Sequence, residues 1–115
     1  MANTTCFRQI GPTVAMSVSA TSHAAVTIAS SSNDQCNFAA FLNTGTTTVA
    51  VNIAATNAPA AVMPVDGVSQ TVIVLPPSMT TPVAYAVPAA PFSASAIGSA
   101  AGPSTVYITP VGDQS

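Results

Sequence analysis

Lysine, glutamate and tryptophan are absent from this sequence, and its only formal charges are Arg8, Asp34, Asp66 and Asp113. Charged residues make up 3% of the 115 positions, where soluble domains carry about 25%. A folded monomer of 11.3 kDa exposes roughly 5,700 Å², which leaves one charge per roughly 1,400 Å² of surface. That density is far below what keeps a small domain soluble by charge alone. The surface must therefore be neutral, built from Ser, Thr, Asn, Pro and Ala, or be buried against something. One arginine cannot neutralise a phosphate backbone, so no nucleic-acid partner is expected. No polybasic segment is present to hold the chain on an anionic membrane.

Catalytic groups are equally scarce. His23 is the only imidazole, and no nucleophile-elbow pattern surrounds its neighbour Ser22 or any other serine. It reads as a turn or surface residue. The three carboxylates fall in separate contexts: Asp34 after Asn33 in an Asx-type turn, Asp66 before Gly67 in another turn, Asp113 in the terminal tail. A carboxylate pair for glycoside chemistry is not expected from them. Cys6, Cys36 and His23 are too few and too scattered for a zinc cage, and no loop holds the two carboxylates that calcium asks for. The six glycines form no phosphate-binding loop. No catalytic, cofactor-binding or metal residue is assigned, and no enzyme activity is expected.

Long hydrophobic runs are missing too, although 49% of the chain is hydrophobic. Of the 56 residues concerned, 22 are Ala, 14 Val, 6 Ile and only 2 Leu. No 18-residue window escapes Pro or several Ser, Thr and Asn, so no spanning helix is expected. Two tyrosines cannot furnish the aromatic girdles of an outer-membrane barrel. The segment 11–24 is interrupted by Ser17, Ser19, Thr21 and Ser22, which argues against a cleavable export signal. Cys6 and Cys36 could close one bridge; they read instead as two buried free thiols, and the redox compartment stays open.

What is present is β-strand chemistry. Val, Ile and Thr alternate with small residues in short runs punctuated by Gly, Pro and Asn. Val14–Ser19, Ala25–Ala29, Phe38–Leu42, Thr47–Ile53, Gln70–Leu75, Val83–Val87, Phe92–Ile97 and Thr105–Thr109 all fit. Asn43-Thr44-Gly45 suits a reversal with positive φ, so Phe38–Leu42 and Thr47–Ile53 are expected to form a hairpin. The apolar end of Gln70–Leu75 predicts a strand buried on both faces, or on one face plus an interface. Pro82 and Pro88 bracket a segment expected to be an edge strand or extended arm. In a chain without guarding charges, prolines such as Pro76, Pro77 and Pro110 can stop strands and blunt their edges, or simply mark loops. The expected fold is all-β: a single antiparallel β-sandwich or jelly roll of about seven to nine short strands. Residues 1–24 form an extended N-terminal arm with a possible first strand, 25–113 the sandwich, and 114–115 a tail.

The runs Asn43–Asn52, Val62–Val65 and Val106–Asp113 resemble small virion structural proteins of tailed bacteriophages, across residues 37–113. That likeness implies a capsid decoration (cement) protein, made in the host bacterial cytoplasm and sited on the capsid surface of the virion. Its implied partners are the major capsid protein and further copies of itself, as a dimer or trimer. Candidate contacts are Phe7, Arg8, Ile10, Tyr107 and Ile108, with plain core packing the competing reading for the apolar ones. The alternatives are a tail-fibre or adhesin β-module contacting a host surface, and a small secreted hydrolase or inhibitor.

Overall fold

A computed structural model describes residues 7–29, 38–67, 69–70, 72–88, 92–99 and 104–113. Among them there is no helix, and nine strands form: β1 (Phe7–Gln9), β2 (Val14–Val18), β3 (Val26–Ile28), β4 (Phe38–Asn43), β5 (Val49–Ala54), β6 (Ile73–Leu75), β7 (Val83–Ala86), β8 (Phe92–Gly98) and β9 (Ser104–Asp113). Period-two alternation selects one face of each strand for the interior. In β2, Met16 and Val18 are buried while Ala15 and Ser17 face water. In β4 the inward set is Ala39, Phe41 and Asn43, and in β9 it is Val106, Ile108 and Pro110.

The strands build two antiparallel sheets. One runs β1-β9-β4-β7, with β2 also on β9; the other runs β3-β8-β5-β6. β1 and β2 lie along the same side of β9, against Val111–Asp113 and Ser104–Ile108 respectively. They are one strand position broken at residues 10–13, so the sandwich has eight positions. The pairings nest: β2 with β9, β3 with β8, β4 with β7, β5 with β6. A long hairpin rolled so that successive pairs fall in alternate sheets is a jelly roll. Between the sheets, Phe41, Ile108, Met16 and Val18 meet Phe92, Ile28, Val49, Val51 and Leu75. Ala39, Ala94 and Ala96 leave room for the larger side chains, each of which contributes roughly 1.5–3 kcal/mol when fully buried.

Several sequence expectations change. Phe38–Leu42 and Thr47–Ile53 are not a hairpin: β4 pairs with β7 and β9, whereas β5 pairs with β6 and β8 in the other sheet. The Asn43-Thr44-Gly45 segment is a corner that carries the chain across the sandwich. Among the described glycines only Gly67 has positive φ, at 79°, and it sits in the expected turn after Asp66. Gly45 is required for another reason, because a Cβ there would collide with the backbone and side chain of Ser104. Asn43, fully buried, organises the corner. Its Nδ2 donates to Thr47 O at 2.9 Å and Pro76 O at 3.0 Å, and its Oδ1 accepts from Gly45 N at 3.1 Å. Thr44 N donates to Thr105 O, Ser78 N to Gly45 O and Met79 N to Asn43 O.

Of the two readings of Gln70–Leu75, burial on both faces does not hold, and burial on one face does. β6 is an edge strand of three residues with Leu75 inward and Val74 48% exposed. Pro110 does not stop a strand; it is fully buried inside β9, between β4 and the β1–β2 position. Its carbonyl accepts from Ile10 N at 3.1 Å. The N–H that a proline lacks would point to that same side, where residues 10–13 interrupt the ladder, so nothing is left unpaired. The 7–18 part of the expected arm is sheet, and residues 1–6 lie outside the described residues. Arg8 and Asp113 stand within β1 and β9, so the strands do carry charge, at one end of one sheet. Val83–Ala86 is the edge strand expected from its flanking prolines.

Candidate interaction surface

The two outer faces of the sandwich differ. Across the β8–β5 side, the segment 55–61 lies over the sheet and is fastened by outward-facing polar side chains. Ser93 Oγ accepts from Ala58 N at 2.9 Å, and Ser95 Oγ and Asn52 Nδ2 both donate to Pro59 O. Ser22 Oγ accepts from Ala61 N at 2.9 Å. Ala58, Ala61, Ser93 and Ser95 are buried as a result.

Among the described residues no segment is fastened in this way across the outer face of the β9–β4 sheet, although Val111 on it is 6% exposed. The register of this sheet brings Phe38, Ala40 and Leu42 of β4 beside Val111, Thr109 and Tyr107 of β9 on one flank and Ala86 and Ala84 of β7 on the other. Phe38, Leu42 and Tyr107 are half-buried, and Ala84 and Ala86 are exposed. Thr13 and Thr109 share a hydroxyl–hydroxyl bond of 2.7 Å at its rim. No charged residue occurs in β2, β4 or β7, and β9 has none before Asp113. The face is neutral up to Asp113 and largely apolar.

A second apolar region opens along the edge where β6 and β7 end their sheets. Val51, Ile53, Val72 and Ile73 line an open cavity of about 210 Å³ there. On β7, Val83 and Tyr85 belong to the inward face, opposite Phe41 and Ala39, yet remain 38% and 41% exposed. Tyr85 packs edge-on against the buried ring of Phe41, with centroids 5.8 Å apart. The inward side chains of the last strand therefore project past the cover that the opposite sheet provides.

The candidate contacts separate on inspection. Ile10 and Ile108 are core members, 3% and 0% exposed, so neither can present its side chain to a partner. Tyr107 lies in the middle of the neutral outer face. Phe7 and Arg8 pair with Asp113 and Gly112 through the β1 backbone. Sequence reasoning missed Leu42 and the β7 pair Val83 and Tyr85. The proline-bracketed alternation marked β7 as an edge, but nothing local shows that the opposite sheet stops short of it.

Among the described residues no catalytic set assembles around His23. Its Nδ1 lies 2.7 Å from Ala24 O, and Ser22 Oγ is turned to Ala61 N and the His23 carbonyl rather than to the ring. Asp66 is exposed in its turn; Cys6, Asp34 and Cys36 lie outside the described residues. Among the described residues no three His, Cys, Asp or Glu come together as metal ligands, and no helix is long and apolar enough to cross a membrane. Compared with known protein families, curated proteins and solved structures, the chain matches none.

Proposed function

We propose that this chain is a structural component of a virion, a small jelly-roll protein that decorates a bacteriophage head and binds capsid subunits through the outer face of the β9–β4 sheet. The observation that carries the reading is that face itself: half-buried Phe38, Leu42 and Tyr107 amid Ala and Thr, with no charge in β4 or β7 and none in β9 before Asp113. Interface cores are depleted in charge and enriched in aromatic residues, and a protein that works by such contact has no need of the Lys and Glu this chain lacks. The jelly roll is an architecture that viral capsid domains use, which supports the reading by analogy of fold alone. The likeness of residues 37–113 to small phage structural proteins points the same way.

In purified particles of the virus that encodes it, the chain is expected on the head, in numbers that follow the capsid subunits, as shell symmetry demands. Tyr107→Lys and Leu42→Lys should melt like the parent protein but lose capsid binding in co-sedimentation, because each buries a lysine in an apolar contact. Finding the chain in the tail, at a fibre's copy number, would favour the adhesin reading instead. Undiminished binding by both variants would reject the assigned face.

A further inference from the structure

We infer that a second copy of this chain adds to the β7 edge, pairing Val83–Tyr85 antiparallel with its own counterpart about a two-fold axis at Ala84. Among the described residues β7 bonds only to β4, and all four of its residues are exposed. Natural edge strands are guarded by charges, internal prolines, bulges or covering segments. β7 has no charge and no proline between 83 and 86; Pro82 and Pro88 merely flank it. At the opposite edge of the same sheet, β2 buries its inward Met16 and Val18 completely and Val14 in part. Among the described residues, an open backbone edge and exposed inward-facing large apolar groups coincide only at β7.

The chemistry selects a copy of the same chain. From Gly67 to Gly112 there is no charged residue, so nothing on this edge repels its own copy and nothing selects a partner of opposite charge. The geometry closes on itself as well. Antiparallel pairing about a two-fold normal to the sheet keeps both copies' inward faces on one side, because directly opposed residues point the same way. The axis must then pass through a residue rather than between two. With Ala84 on the axis, each Val83 stands opposite the partner's Tyr85 on the inward face, an aromatic–β-branched cross-strand pair. The outward faces of the two copies join into one neutral surface carrying two Tyr107–Leu42 patches. The pairing gives physical form to the self-association that the virion reading calls for, but it is testable on the chain alone, without a capsid.

The test is sedimentation of the purified full chain at micromolar concentration together with a cysteine scan. The chain should sediment as a dimer, at twice 11.3 kDa. Ala84→Lys sets two like charges directly opposite each other and should weaken dimerisation by about tenfold or more, with unchanged strand content by circular dichroism. In a background of Cys6→Ser and Cys36→Ser, Ala84→Cys should form an intermolecular disulfide on mild oxidation, since directly opposed residues are within bridging range. Ala86→Cys should not, because the two copies of residue 86 would be roughly 13 Å apart along the strands. If Ala84→Lys does not fold, the two cysteine variants decide the register by themselves. A monomer, a trimer, or a dimer in which Ala84→Cys fails to cross-link would overturn the proposal. A capsid-binding protein that stays monomeric would overturn it while leaving the proposed function intact.

Discussion

A single amide holds the corner where three stretches of the chain meet. Asn43 ends β4, and its side chain reaches Thr47 on its own corner and Pro76 in the β6–β7 connection, while the corner amides bond to Thr105 and receive bonds from Ser78 and Met79. A buried amide with every polar atom partnered fixes one geometry, because any other leaves donors and acceptors stranded away from water. Asn43→Ala removes both donors and the acceptor for Gly45 N at once. It should cost about 2–4 kcal/mol, read as a lower midpoint in urea unfolding. At the same corner Thr47 Oγ1 and Ser104 Oγ lie 2.6 Å apart. The close approach of Ser104 that this bond accompanies is what forbids a Cβ at Gly45. Asn and Gly were legible as turn residues; their partners, some 30 to 60 positions away in the chain, were not.

Among the elements, the contrast between the two outer faces comes down to two serines. β8 is buried on both sides: Phe92, Ala94 and Ala96 meet the core, and Ser93 and Ser95 meet the 55–61 segment. Alternating Ala and Ser in Phe92–Ile97 gives the strand its period but does not say that the polar side is covered. Hydroxyls suit that role because an irregular segment leaves its amides and carbonyls without ladder partners. Ser93→Ala leaves Ala58 N without an acceptor and should cost about 1 kcal/mol. The matching observation is faster hydrogen exchange at the Ala58 amide, by about fivefold, with the β5 and β8 amides unchanged. Ser93→Ala leaving the Ala58 amide as protected as before would mean that the segment is held by packing alone.

At the scale of the whole molecule, the fold is held with almost no electrostatics. β9 pairs with β1, β2 and β4, so the last strand knits together residues from the first two fifths of the chain, and the stabilising contacts are apolar packing and backbone ladders. Charge screening acts on exposed ion pairs and hardly at all on such contacts. Urea unfolding should therefore give a stability that changes by less than about 0.5 kcal/mol between roughly 0.05 and 0.5 M NaCl. A larger loss at high salt would reveal a charge interaction, most directly one between β1 and the end of β9, where Arg8 and Asp113 occur.

Composition and alternation determined by themselves that this chain is all-β, that it carries only four formal charges, and that Pro82 and Pro88 enclose an edge strand or an extended arm. These are properties of single residues and near neighbours: β-branched side chains favour the pleated surface, prolines interrupt a ladder, and four charges are four charges wherever they lie. Only the tertiary structure decided that Asn43-Thr44-Gly45 crosses between sheets instead of closing a hairpin, that Pro110 sits buried in a central strand, and that Ile10 and Ile108 are core while Leu42 and Tyr107 share an open face. Period two assigns a side chain to one face of a strand, but whether that face meets the core, a covering loop or open water depends on what the rest of the chain lays against it. In a jelly roll those neighbours come from the opposite end of the sequence.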